Sequence, residues 1–259
     1  MLTNLPPNCS SLYWVVRLLS LALLCASTAQ LAHAAADGDQ LAILIFSKTA
    51  GYRHESIPVG IAAIKGLGAQ HRIEVDATEA ASTFTDAVLA KYRVVVFLNT
   101  TGTVLDADQH AAFERFIRHG GGFVGVHSAT DTEYQWPWYG KLVGAYFIKH
   151  PPIQPATVKV VDASHVSTKH LPAQWMRTDE WYNFRSQPDA DVTVLLRIDE
   201  SSYNGGTMGE NHPMAWCHAY DGGRAWYTAL GHTKESYSDP LFLQHVWGGI
   251  AWAAGLTSE

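Results

Sequence analysis

Three histidines stand just beyond runs of apolar residues: His54 after 41–46, His127 directly after 123–126, and His232 after 225–230 with Gly231 between. Carboxylates accompany them, with Glu55 beside His54 and Asp131 four positions after His127. Asp179-Glu180-Trp181-Tyr182 and Glu210-Asn211-His212-Pro213 add acids and another imidazole in loop-like stretches. Imidazole changes its charge near neutral pH, so histidines among carboxylates form the set used for general acid/base catalysis. The same set ligates divalent transition metals. Each residue also has a plain structural use. His127 can bond the following loop, Glu55 can serve the positive end of the next helix, Glu180 can pair with Arg177 or Arg185, and His212 can shape the turn before Pro213. His150, His165, His170 and His245 read as structural or surface residues.

Several chemistries are excluded by pattern. There is no Walker phosphate loop, no HExxH helix and no CxxC pair. Gly120-Gly121-Gly122 precedes its apolar run, so it reads as a helix stop and not as a dinucleotide cradle. Gly125-Val126-His127-Ser128-Ala129 differs from the GxSxG elbow of hydrolases, because His127 holds the nucleophile position and Ala129 replaces the last glycine. Ser128 beside a histidine is a minor candidate nucleophile.

These residues must be positioned by the elements before them. Residues 41–46 (LAILIF), 93–98 (RVVVFL) and 123–126 (FVGV) are short and almost continuously apolar, the pattern of parallel strands buried on both faces. A shorter strand is expected at 73–76. Ser56 with Pro58 opens a helix through Ile61, Ile64 and Leu67, and Thr85-Asp86 opens a short one. Asp106 with Gln109 forms a capping box for a helix whose apolar face is Ala112, Phe113, Phe116 and Ile117. Strand and helix alternate, which specifies a doubly wound, mostly parallel α/β sheet. Polar strand ends then converge on its carboxyl edge, where open α/β sheets bind ligands. Beyond His127 strands are expected at 157–161, 192–198, 214–218 and 225–230. Gly222-Gly223 closes the last two into an antiparallel hairpin, and Asp239-Pro240 starts a closing helix.

Composition narrows the partners. The 259 residues are 47% apolar and 16% charged, suiting one α/β domain. The net charge of −6 argues against nucleic acid. Arg17 precedes an apolar run that closes on Ala32-His33-Ala34, the order of a secretory signal peptide over 1–34, leaving a domain over 35–259. The apolar core of that leader is short for a membrane span, so no stable span is expected after its removal. The bulky Leu24 before Cys25 argues against lipidation. Cys9 and Cys25 leave with the leader and Cys217 alone stays, which rules out an internal disulfide and a cysteine-ligated zinc centre. A periplasmic or secreted location follows as an expectation. A homo-oligomer is compatible with the sequence.

FSKTAGYRHESI (46–57), VVFLNTTG (95–102), the stretch from GGGFVGVHSATD to GAYF (120–147), DEWYNF (179–184) and HPMAWCHAYDGGRAWYTALGHTKESY (212–237) together resemble the ThuA-like family, named for trehalose utilisation. The likeness covers about 40–254. It implies the flavodoxin-like fold of the class I glutamine amidotransferase-like superfamily. Amidotransferases keep a cysteine at the elbow, and His127 in that place speaks against amide hydrolysis. The resemblance further implies breakdown of trehalose or related glycosides, 3-keto sugars among them, and the positions carried over are His54, Glu55, His127, Asp131, Glu180, His212 and His232.

The expected function is therefore carbohydrate processing by a lyase, isomerase or hydrolase acting on a small sugar. His127 or His232 would serve as base and Glu180 or Asp131 as acid, with His54, Glu55, Asn99, Trp136, Trp181, Tyr182 and His212 binding the sugar. One divalent metal ion held by His54, His127 and His232 is the cofactor to expect. The alternative is a non-catalytic sugar-binding accessory protein whose aromatics, Trp136, Trp138, Tyr139, Trp181 and Tyr182, stack on sugar rings.

Overall fold

A computed structural model describes Met1 and residues 41–256, so the expected signal segment over 1–34 lies outside the described residues. Among the described residues no helix is long and apolar enough to cross a membrane.

Strands β1 (Ala42–Phe46), β3 (Val94–Leu98) and β4 (Gly122–Val126) are buried along their whole length. β2 (Glu74–Thr78) is half exposed at the margin. The later strands are β5 (Phe147–Lys149), β6 (Gln154–Val160), β7 (Gln174–Asp179), β8 (Asn183–Phe184), β9 (Thr193–Ile198), β10 (Pro213–Tyr220) and β11 (Gly223–Thr228). Nine of them form one sheet in the order β2-β1-β3-β4-β11-β10-β9-β6-β7, while β5 and β8 pair separately. Pairing is parallel from β2 to β11 and antiparallel from β11 to β7. The parallel half has the flavodoxin-like order, and the expected β10–β11 hairpin begins the antiparallel half.

β7 carries no continuous apolar run because it is an edge strand, its buried residues interleaved with exposed ones such as Met176. It matters for the site. Direction reverses at each antiparallel step, so β7 points the same way as β4. Its carboxyl end, Asp179, therefore reaches the same rim as the ends of β1, β3, β4 and β11.

Helices cover both faces. Phe97 and Phe123 pack their rings against Phe113 of α3 (Ala107–Arg118) and Tyr139 of α4 (Pro137–Val143), with centroids 5.4 to 6.3 Å apart. Across the sheet lie α1 (Ile57–His71) and α5 (Pro240–Ala253). α5 comes so close that a Cβ on Gly122 would stand 2.5 Å from the Ala253 carbonyl, and one on Gly249 would stand 2.3 Å from Trp226. The short α2 (Asp86–Leu89) is capped by Thr85. The capping box of α3 forms as the sequence indicates, Asp106 accepting from Gln109 N and Gln109 Oε1 accepting from Asp106 N. Ser56 does otherwise. It stands before α1, yet its side chain makes no cap bond and instead accepts from Asn99 Nδ2 at 2.9 Å.

Candidate active site at the carboxyl edge of the sheet

β4 ends at Val126, and His127 turns the chain with φ of +50°, a left-handed conformation that a non-glycine residue keeps only when its surroundings enforce it. The enforcement is visible. Tyr227 OH donates to the His127 carbonyl at 2.7 Å, and the His127 ring packs on Tyr182 with centroids 4.1 Å apart. His127 Nδ1 lies 2.8 Å from the Ala229 carbonyl, which can only accept, so Nδ1 carries a proton and Nε2 is turned toward the neighbouring imidazole and carboxylate. That nitrogen is 3.1 Å from His232 Nδ1 and 3.4 Å from Glu180 Oε2, and the latter two atoms are 3.1 Å apart.

His54 completes the group. Its buried ring meets those of His127 and His232 edge to face, with centroids 4.9 and 5.0 Å away, and its Nδ1 is 3.4 Å from Ser128 Oγ. One ligand atom from each of His54, His127, Glu180 and His232 can be chosen so that all four lie within 4.8 Å of one another. Burial, reinforced by the neighbouring His127 and His232, pushes the His54 pKa down to about 2. Burial also pushes the Glu180 carboxyl up, but its contacts with His127 and His232 outweigh this and hold it well below the usual range. Glu180 is thus an ionised acceptor or ligand and not a proton donor. Four residues rich in lone pairs face one point, and a cation held there, whether proton or metal, fits them together.

Other groups hold the cluster in place. Asp179, fully buried, accepts from the backbone N–H of Gly231 at 2.9 Å and of His232 at 3.1 Å, and from Arg177 Nη2 at 3.1 Å. The edge strand is thereby tied to the loop after β11. Asn99, with φ of +51°, brackets the β1 and β11 loops through Ser56 Oγ and the Gly231 carbonyl. The His212 ring bridges Glu200 Oε1 at 2.7 Å and the Tyr182 carbonyl at 2.8 Å, so it props the Glu180–Tyr182 loop from behind. Asp131 accepts from Tyr134 OH at 2.6 Å, and burial raises its pKa.

Of the residues expected to bind sugar, the structure brings His54 into the cluster and Tyr182 against it. Glu55 is exposed and pairs with Lys234 at 2.6 Å. Trp136 stacks on His110 and Trp138 on the α3–α4 side, and Trp181 is fully buried with its Nε1 on the Gln154 carbonyl. Tyr139 is buried as well, so most of the aromatic faces that stacking would need are turned into the core. His150, a structural or surface residue by sequence, places its Nδ1 3.0 Å from Glu180 Oε1 while its side chain stays 42% exposed. Asp179, beside Glu180 in the sequence, is the anchor of the site and not a reacting group. A signal existed for both in part: His150-Pro151-Pro152 forces an extended passage that aims the imidazole, and Asp179 opens the DEWYNF stretch.

Residues 42–253 match the family model described as ThuA, trehalose utilisation. No curated protein matches the sequence. The fold is similar to a solved ThuA-like protein from Bacteroides uniformis, with TM-score 0.72 and 24% identity over 84% of this chain and 93% of that one. It is similar also to one from Parabacteroides merdae, with TM-score 0.70 and 20% identity over 85% and 92%. A β-galactosidase from Bacillus circulans contains a similar region, TM-score 0.55 and 14% identity over 84% of this chain and 31% of the enzyme. At these identities the structural likeness is one of fold.

Proposed function

The chain belongs to the ThuA family of trehalose utilisation, and from that premise we propose that it is an enzyme processing trehalose-type or 3-keto glycosides, with His150 as a base oriented by Glu180 beside the His54–His127–His232 imidazoles. The observation that carries the reading is the placement of Glu180. Its Oε2 lies among the imidazoles, and its Oε1 holds His150 at 3.0 Å.

His150 Nδ1 faces two acceptors, Glu180 Oε1 and the Pro151 carbonyl, also at 3.0 Å. Nδ1 therefore carries the proton, and Nε2 is left bare in a partly exposed ring, the arrangement of a general base oriented by a carboxylate. In a 3-keto glycoside the ketone acidifies the hydrogen on C2. His150 Nε2 takes that proton, the C–H electron pair becomes the C1–C2 double bond, and the C1–O bond to the departing sugar breaks. The leaving oxygen takes up a proton from water and His150 returns its own to water, so atoms balance without oxidant or reductant. His54, His127, His232 and Glu180 would hold any cation bound there, and such a cation would stabilise the negative charge that develops on the ketone oxygen in the transition state. The leader-like sequence of residues 1–34 supports action in a periplasm or outside the cell.

The test is incubation of the purified full-length chain with 3-keto trehalose in D2O, followed by NMR. Release of glucose or deuterium incorporation at C2 is expected, with His150→Gln slowed about 10²- to 10⁴-fold, the usual contribution of a positioned base. If the wild-type protein produces neither change, the reading is wrong.

A further inference from the structure

We infer that His54, His127, His232 and Glu180 form a binding site for one divalent transition metal of the manganese-to-zinc series. The inference rests on the same cluster as the proposed activity but not on that activity being correct.

Three observations converge on it. The first is spacing. Ligand atoms 2.0 to 2.2 Å from a metal lie about 3 to 3.4 Å from one another in octahedral or tetrahedral arrangement, and the three resolved separations here are 3.1, 3.1 and 3.4 Å. The second is tautomer. The bond from His127 Nδ1 to the Ala229 carbonyl is the outer partner that metal-bound histidines commonly have, and it aims Nε2 into the cluster. The third is the count of lone pairs against protons. One proton on His232 Nδ1 can answer His127 Nε2 or Glu180 Oε2 but not both fully, and His54 adds another ring to the crowd. A buried carboxylate such as Glu180 is costly without a countercharge. A divalent cation answers all four at once.

Chemistry of the donors selects the metal. Three imidazoles disfavour magnesium and calcium, which take oxygen ligands, and suit the later divalent metals. With four protein ligands, a five- or six-coordinate ion keeps one or two positions open. Of the four side chains that of His232 is the most accessible, at 17% exposed, so solvent or substrate would approach the ion from its side. Bound there, the metal would polarise a sugar carbonyl as a Lewis acid. The frame is also stiff, because Asp179 pins the His232 backbone and Tyr227 pins that of His127.

The test uses the full-length chain purified without a polyhistidine tag. It is incubated separately with Zn²⁺, Co²⁺ and Mn²⁺, dialysed, and assayed by elemental analysis and, for cobalt, by visible absorption. About one ion per chain is expected for at least one metal. His127→Ala and Glu180→Gln should lower occupancy tenfold or more while circular dichroism reports a folded protein, and His150→Gln should retain the ion. No metal retained by the wild type, or full retention in folded His127→Ala or Glu180→Gln protein, overturns the site. Metal bound without conversion of any glycoside would instead overturn the proposed activity and leave the site standing.

Discussion

His127 and Asp179 illustrate two ways a single residue makes a site. His127 contributes a ligand-quality nitrogen because its other nitrogen is committed to a carbonyl and its backbone is held at φ +50°. Asp179 touches nothing that reacts, yet it accepts from three backbone N–H groups, those of Glu180, Gly231 and His232, and from Ser236 and Arg177. Its pair with Arg177 is almost fully enclosed, with side chains 0% and 6% exposed. Removing one partner of a buried pair and leaving the other uncompensated costs about 3–5 kcal/mol, and Asp239, 3.6 Å from Arg177 Nη1, keeps part of the compensation here. Asp179→Asn should therefore lower stability by about 1–3 kcal/mol, below that full cost, read from urea unfolding. A change under 1 kcal/mol would mean that the pair does not organise this edge. The His232 loop, released from its anchor, should also lose metal affinity.

At the scale of elements, the approach of α5 to the sheet decides which glycines can be replaced. A Cβ on Gly249 would run into the Trp226 ring at 2.3 Å, whereas one on Gly66, on the exposed side of α1, meets nothing within 4 Å. Overpacking a core costs typically about 1–3 kcal/mol, while alanine in a helix interior gains about 0.5–1 kcal/mol over glycine. Thermal melts of Gly249→Ala and Gly66→Ala should thus shift in opposite directions. A Gly249→Ala melt equal to the wild type would contradict the close packing of α5 on β11. This contact matters for the site, since β11 delivers Gly231 and His232.

The whole molecule buries several neutral histidines, and that links its stability to pH. Burial is the first cause lowering the pKa of His165, His218 and His245, and His245 is held at about 3, with His170, Arg177 and His165 adding to the effect. Its ring nitrogens face the Ser167 carbonyl and Thr228 Oγ1. Between the unfolded value of 6.5 and about 3, the unfolded chain holds a proton that the folded chain does not. Stability is then fully present above pH 6.5 and falls as pH drops through that window, by up to about 1.4 kcal/mol per pH unit for this one group. Urea midpoints measured from pH 7 to 5 should decline less steeply in His245→Gln than in the wild type. Equal slopes would show that His245 does not drive the decline.

The order of strands and helices, the capping box at Asp106 and the polar crests after β1, β4 and β11 were legible in the sequence, because buried parallel strands must be apolar and must end where the polarity changes. The family was legible for the same reason: its motifs are those crests. What remained hidden depended on contacts distant along the chain. Nothing local distinguishes Glu180, which enters the cluster, from Glu55, which faces solvent beside Lys234. The difference arises because an edge strand whose burial alternates adds itself to the far side of the sheet and its end is drawn back to β11 by Asp179. His150 and the burial of Trp136 and Trp181 were equally out of reach, since a residue's type sets what chemistry it can do, and only the tertiary packing sets which neighbours and how much water it meets.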